Sequence, residues 1–262
     1  MTLLTWILLF SLLGGVLSVL VAATFLLLPA GVRHSLVPHL VSFAIGTLLG
    51  AAFLGLLPHA LMAPGVKDFH EIFLAVLLGV LAFFLLEKMV LWRHCHADEC
   101  EAHGSEAHLA GHGRSATGWM ILLGDGLHNF VDGVLIAAAF LTDIHLGIVT
   151  ALAIAAHEIP QEVGDFVVLL HSGFSRAKAL LFNVLSSLTT IVGALLAYWS
   201  LGETQGALPY VLAVAAASFI YIAVADLIPG LHKRAEARAT LEQLALIGAG
   251  VLLIYLTHST LH

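Results

Sequence analysis

The sequence has very little charge, since only 10% of its residues are Asp, Glu, Lys or Arg, whereas 60% are hydrophobic. Soluble domains carry about 25% charged residues, and a soluble fold has no means of covering so much apolar surface with so few polar groups. The composition therefore excludes a soluble globular protein and indicates a membrane protein. The net charge of −7 gives no reason to expect a nucleic-acid partner.

The apolar residues form long continuous runs, not the short alternating segments of a β-barrel. A membrane-spanning helix needs about 20 mostly apolar residues. No Lys or Arg precedes the first run, which is also too long for the apolar core of a signal peptide. We therefore predict an all-α polytopic membrane protein, with residues 1–262 as a single transmembrane domain embedded in lipid. Its eight predicted helices cover residues 3–28, 36–58, 70–92, 118–141, 145–171, 176–200, 208–230 and 243–260.

The basic residues predict the orientation, because Lys and Arg collect on the cytoplasmic side. Nine of the ten lie beside loops that follow odd-numbered helices, and only Lys67 lies on the other side. Both termini are thus predicted to be extracytoplasmic, in a plasma membrane or a bacterial inner membrane. Cys95 and Cys100 then face a reducing compartment, where no disulfide is expected. The nine basic residues are Arg33, Lys88, Arg93, Arg114, Arg176, Lys178, Lys233, Arg234 and Arg238.

Residues 93–117 form the one long loop, and their polar composition cannot build a core. We expect a flexible cytoplasmic segment. Its density of histidines, with two cysteines and four acids, predicts weak and adaptable metal binding, because it contains no CxxC and no fixed ligand spacing. The five histidines of this loop are His94, His96, His103, His108 and His112.

The fourth and fifth predicted helices carry the strongest functional signal. A charged side chain at the bilayer centre costs about 2.5–3.5 kcal/mol on insertion scales, so such residues mark functional sites. The apolar centres of the first, sixth and eighth helices contain none. The polar residues are Asp125, His128, Asn129 and Asp132 in the fourth helix, and His157, Glu158, Gln161, Glu162 and Asp165 in the fifth.

Helical spacing places these side chains on shared faces. His128 and Asp132 are four residues apart, as are His157 and Gln161, and side chains at this spacing share one face of a helix. If the two helices pack together, imidazole and carboxylate groups converge in one polar core. Such ligands suit Zn²⁺ first, and also iron, manganese or cadmium. The spacing therefore predicts a divalent metal site inside the membrane.

The segments HNFVDG at 128–133 and HEIPQEVGDF at 157–166 together resemble the ZIP family of divalent metal transporters, most closely the subfamily whose fifth helix carries HExPHExGDF. The resemblance covers nearly the whole chain. It implies an inverted 3+2+3 helix arrangement, a homodimer, an elevator-like motion and movement of zinc, iron or manganese toward the cytosol. It also implies a binuclear metal site between the fourth and fifth helices.

The family positions carry over residue by residue. His128, Asp132, His157 and Gln161 would match the first metal site, and Asn129 and Glu158 the second, with Asp132 as the bridge; Glu162 and Asp165 belong to the motif. Gln161 stands where the subfamily has His, which predicts a looser site or an altered metal preference, because an amide oxygen is a poorer zinc ligand than imidazole.

Several residues outside the motifs are weaker candidates. Asp125 lies on the same side of its helix as His128, and Asn183 and Asp226 are expected to support or gate the site. Pro58 and Pro229, near the ends of the second and seventh helices, are a weak sign of the inverted repeats found in transporters.

Two other functions remain open at this point. HEIPQ begins like the HExxH motif of zinc metalloproteases, in which two histidines bind zinc and the Glu is the general base. Gln161 replaces the second of those histidines, so we do not expect an enzyme. A membrane metal sensor that uses the loop over 93–117 is the other alternative.

Overall fold

The computed structural model describes residues 1–92, 113–232 and 236–261. These residues form eight long helices when helical segments that follow one another without a break are taken together, as the sequence predicts. The helices are α1 (Leu3–Phe25), α2 (30–62), α3 (Phe69–Trp92), α4 (Gly113–Thr142), α5 (Ile144–His171), α6 (Arg176–Gly202), α7 (208–231) and α8 (Ala237–Leu261).

Some helix ends differ from the predicted ones. The helix α2 continues past Pro58 to residue 62, and α8 begins at Ala237 instead of 243. The helix α4 begins at Gly113, inside the segment 93–117 that was predicted to be a flexible loop. Hydropathy locates only the part of a helix that lies in the apolar bilayer core. Polar helical turns beyond that core are therefore not predicted from the apolar runs.

Seven of the eight helices are long and apolar enough to cross a membrane. The exception is α5, whose apolar character is reduced by the buried polar side chains His157, Glu158 and Glu162. The described part of the chain is therefore an all-α membrane protein, and its least apolar helix is the one that carries most of the candidate ligands.

The helices divide into two groups by their contacts. In the first, α4 packs extensively against α6 and also against α5, while α1 contacts α5 and α6. In the second, α2 packs against α8, and α3 packs against α7. The groups meet where α5 contacts α2 and where α4 contacts α7. The helices that carry the candidate ligands thus belong to one group and face the other.

The α4–α6 contact depends on a glycine in each helix. A methyl group at Gly133 would lie 1.9 Å from the carbonyl oxygen of Thr190, and one at Gly193 would lie 2.0 Å from that of Phe130. Both distances are far below van der Waals contact, so only glycine allows these backbones to approach so closely. By contrast, a methyl group at Gly164 of α5 would meet no atom within 4 Å.

The helices α2 and α7 share a local irregularity. A six-residue π-helical segment, Ala51–Leu56, precedes Pro58, and a matching one, Ile222–Leu227, precedes Pro229. Proline has no N–H and leaves a carbonyl one turn earlier without its α-helical partner, and a π-helical turn is a common local response within a helix. The structure thus adds a matching backbone feature to the pair of prolines seen in the sequence.

One residue, Asp143, connects α4 to α5. Its Oδ1 accepts hydrogen bonds from the backbone N–H of His145 (2.8 Å) and of Leu146 (3.0 Å), which caps the start of α5. Partial burial opposes ionisation, but these hydrogen bonds hold the pKa of Asp143 below its usual value. The cap is therefore charged at neutral pH, and the two ligand-bearing helices form a tight antiparallel hairpin.

Candidate metal centre between α4 and α5

Four of the predicted residues meet in the interior of the bundle. The nitrogen or oxygen atoms that His128, Asp132, His157 and Glu158 can offer a metal all lie within 4.8 Å of one another. Asp132, His157 and Glu158 are at most 1% exposed, and His128 is partly open. We call this group the histidine cluster.

The distances within the histidine cluster suit a tetrahedral metal. The two imidazole Nε2 atoms lie 3.2 Å apart, and His128 Nε2 lies 3.4 Å from Glu158 Oε1. His157 Nε2 lies 3.5 Å from Asp132 Oδ2, and the remaining imidazole–carboxylate distances are 3.7 and 3.8 Å. Tetrahedral zinc with ligands at about 2.0–2.1 Å separates them from one another by about 3.3 Å. Small side-chain movements would therefore place all four atoms around one ion.

A backbone contact orients one of the ligands. His157 Nδ1 lies 3.2 Å from the carbonyl oxygen of Ala153 and donates to it, which leaves Nε2 without a proton and with its lone pair inside the histidine cluster. Metal-binding histidines almost always fix their second ring nitrogen in this way. Pro160 lies one turn further along, and α5 remains continuous through it.

The carboxylates of the cluster lack hydrogen-bond partners. Neither oxygen of Asp132 and neither oxygen of Glu158 accepts a hydrogen bond in the described part of the chain. Buried charged groups are normally paired or bound to a metal, because leaving them uncompensated is costly. The arrangement therefore has the properties of a cation site.

Asn129, predicted to bind the second metal, faces other partners. Its Nδ2 donates to Asp125 Oδ1 at 2.9 Å, and its Oδ1 accepts a hydrogen bond from Thr190 Oγ1 at 2.8 Å. Asp125 Oδ2 accepts a further hydrogen bond from Ser186 Oγ. In this conformation Asn129 holds Asp125 in place, and both polar atoms of its amide have hydrogen-bond partners.

Ser186 and Thr190 were missed in the sequence, as was the role of α6. The fourth and fifth helices stand out in the sequence by their charged residues, and the centre of α6 has none. A polar stripe was nevertheless visible, because the buried residues Asn183, Ser186, Ser187 and Thr190 recur every three or four positions. That periodicity could have identified α6 as the third helix of the site.

A cavity of about 420 Å³ opens beside the histidine cluster. It is lined by His128 and by four other predicted residues, namely Asp125, Gln161, Asp165 and Asp226. Glu87 of α3 also lines it and was missed; it accepts a hydrogen bond from the hydroxyl of Tyr221 in α7. Gln161 and Asp165 of α5 and Asp226 of α7 thus all line the same space.

Two other candidates of the fifth and sixth helices lie deeper. Glu162 and Asn183 are fully buried, and Asn183 lies against Glu162. The histidines predicted to bind metal in the loop, His94, His96, His103, His108 and His112, all lie outside the described residues.

Comparison with known proteins gives a consistent result. A family model described as ZIP Zinc transporter matches residues 92–258, more than half of the chain. Zinc transporter ZIP13 of Pongo abelii is 34% identical over 260 residues, which cover 93% of this chain and 74% of that protein. Zinc transporter ZIP4 of Homo sapiens is 38% identical over 143 residues, or 53% of this chain and 22% of that protein. Metal cation symporter ZIP14 of Mus musculus is 44% identical over 115 residues, which cover 44% and 23% of the two chains. On the family model and the nearly full-length similarity to ZIP13, the chain belongs to the ZIP family of zinc transporters.

Proposed function

We propose that the protein carries Zn²⁺ across the membrane through the histidine cluster. The observation that supports this proposal best is the convergence, at one point in the interior of a membrane protein, of two imidazoles and two carboxylates that lack hydrogen-bond partners in the described residues. The mixed nitrogen and oxygen ligands also suit iron, manganese and cadmium, so we expect these metals to compete with zinc for the site. Because the chain belongs to a transporter family, transport is favoured over the metalloprotease alternative. The absence of the second histidine of HExxH points the same way.

The proposed direction of transport is toward the cytosol. It follows from the family resemblance, and the cavity offers a path for release on that side: its lining residues on α4 lie at or before Val131, and those on α5 are Gln161 and Asp165. They therefore lie toward the helix ends that the basic residues assign to the cytoplasmic side. We further propose, on the family resemblance, an inverted 3+2+3 arrangement, extracytoplasmic termini and a homodimer in a plasma or bacterial inner membrane.

Zinc flux into proteoliposomes tests the proposal. We expect purified full-length protein to transport zinc, and the double variant His128→Ala, His157→Ala to transport none, because half of the ligand set is lost. His171→Ala is a matched control, since this histidine is exposed at the far end of α5. Absence of zinc, iron, manganese and cadmium flux from folded wild-type protein would contradict a transport function and favour the sensor alternative. Competition among these metals ranks the substrates.

Zinc affinity is expected to fall as the medium becomes acidic. Imidazole and carboxylate ligands must lose their protons before they bind a metal, so protons compete with zinc for the histidine cluster. Calorimetric titration of the detergent-solubilised protein between pH 5 and pH 8 measures the effect. An affinity that does not change over this range would contradict the assigned ligands.

A further inference from the structure

The cavity beside the histidine cluster has one side that faces the bilayer. Its lining residues come from α3, α4, α5 and α7. Among the described residues, α3 packs extensively against α7, whereas no comparable contact joins α3 to α4. Leu86 of α3 and Leu127 of α4 both line the cavity, and they are 51% and 57% exposed. Exposed leucines of a membrane protein face lipid chains that are equally apolar, so the gap between α3 and α4 gives the cavity a lateral opening to the bilayer.

Three carboxyl groups line the same cavity from three different helices. They belong to Glu87 of α3, Asp165 of α5 and Asp226 of α7, and Asp226 interacts electrostatically with both of the others. No Lys or Arg is among the described residues of the lining, and none of the three carboxyl groups forms an ion pair there. Acidic side chains within a membrane are costly unless they face a partner or a water-filled space. The polar side of the cavity therefore favours a positively charged group.

Two of these carboxyl groups lie near one face of the membrane. The helices α3 and α7 run parallel, because Tyr210 of α7 donates a hydrogen bond to Glu71 at 2.7 Å and Tyr221 donates one to Glu87. Glu87 and Asp226 each lie five residues before the last residue of their helix, which is about 7.5 Å at a rise of 1.5 Å per residue. Both carboxyl groups are therefore close to the level of the lipid headgroups.

The rest of the lining is mostly apolar and extends deeper into the membrane. Phe83 lies one turn before Glu87 on α3, and Ile121, Leu127 and Val131 follow one another along α4. The cavity volume of about 420 Å³ lies in the lower part of the range of about 300–1,000 Å³ found for small-molecule sites. This size suits one alkyl chain better than the two chains of a phospholipid. An acidic end near the headgroups and an apolar wall below it match an amphiphile with a cationic head.

We propose that the cavity binds a long-chain primary amine, which enters from the bilayer between α3 and α4. Its ammonium group has three N–H donors and binds to the carboxyl groups of Glu87, Asp165 and Asp226. Its alkyl chain lies against the apolar side chains of α3 and α4. Binding of the amine does not depend on the proposed transport function. Because the cavity is also the proposed path of metal release, a bound amine obstructs that path.

Binding of nitroxide-labelled amphiphiles to the protein tests the proposal. Full-length protein in phosphatidylcholine nanodiscs receives a labelled long-chain amine, and its electron paramagnetic resonance spectrum separates bound from free label. The alcohol and the sulfate with the same labelled chain are compared with it, in the absence of zinc. We expect the amine to bind about tenfold or more tightly than the alcohol, because only the amine gains hydrogen bonds to charged groups. The sulfate should bind least, since the carboxyl groups repel it.

Two variants show whether the carboxyl groups are responsible. Asp226→Asn keeps the shape of the side chain and should bring the affinity for the amine close to that for the alcohol. Asp68→Asn removes an exposed carboxylate at the other end of α3 and should leave amine binding unchanged. Equal binding of amine and alcohol by the wild type would overturn the proposal, and so would undiminished amine binding by Asp226→Asn. Because no zinc is present, neither result bears on the proposed transport function.

Discussion

Asp132→Ala is expected to abolish high-affinity zinc binding, and with it zinc transport. Asp132 is 1% exposed, neither of its oxygens has a hydrogen-bond partner in the described residues, and Oδ2 lies 3.5 Å from His157 Nε2. Residues that merely support a metal ligand change affinity by about 10- to 100-fold, so loss of a ligand should exceed that range. Calorimetry and proteoliposome flux measure the two effects.

A thermal readout separates this loss from misfolding. A ligand present at 100 times its dissociation constant stabilises the folded protein by about 2.7 kcal/mol, so zinc should raise the unfolding temperature of the wild type. In Asp132→Asn, which keeps the shape of the side chain, the metal-free protein should unfold cooperatively but gain little from zinc. Asp68→Asn serves as the control, because this carboxylate is exposed on the connection between α2 and α3, outside the histidine cluster. An undiminished zinc-induced rise in Asp132→Asn would contradict the assignment of Asp132 as a ligand.

The second large effect is expected from Gly133→Ala. The added methyl group would lie 1.9 Å from the carbonyl oxygen of Thr190 and 2.8 Å from the backbone nitrogen of Ala194, and neither backbone atom can rotate away. The helices α4 and α6 must therefore separate. Overpacking of this kind costs about 1–3 kcal/mol and sometimes more, and thermal unfolding in detergent measures it.

Gly164→Ala is the matched control for that substitution. It makes the same change in a neighbouring helix, where the new methyl group meets no atom within 4 Å. Alanine favours helix over glycine by about 1 kcal/mol, so this variant should be as stable as the wild type or slightly more stable. Gly133→Ala should also weaken zinc binding, because it displaces Thr190, which holds Asn129. Equal unfolding temperatures for the two variants would contradict the close α4–α6 contact.

Much of the fold could be predicted because the membrane imposes a simple rule on the sequence. Every spanning segment must be a helix of about 20 apolar residues, and this locates all eight helices to within a few residues. The shared faces of His128 with Asp132 and of His157 with Gln161 followed from helical periodicity. The same periodicity does not say which helices become neighbours, since lipid-facing and helix-facing surfaces are equally apolar.

That gap explains what the sequence analysis missed. The helix α6 contributes only small neutral side chains, so a search for charge passed over Ser186 and Thr190, although both bond to predicted residues of α4. Glu87 escaped because it lies near the end of α3, where a charged residue is ordinary. The bond of Asn129 to Thr190 spans 61 residues, and spacing within one helix cannot reveal it. The bond of Asn129 to Asp125 joins residues four apart on α4, so helical spacing was enough to suggest it.

The single-residue connection at Asp143 bears on the order in which the site assembles. The imidazoles of His128 and His157 are only 29 residues apart in sequence, and Asp143 ties their helices into one hairpin. Contacts between near neighbours in sequence form fastest, because closing a short loop costs little entropy. The histidine cluster can therefore assemble as soon as α4 and α5 are inserted. The hydrogen bonds from Ser186 to Asp125 and from Thr190 to Asn129 each span 61 residues, so they form only after α6 is inserted. The metal ligands of α4 and α5 can therefore come together before α6 holds Asp125 and Asn129 in place.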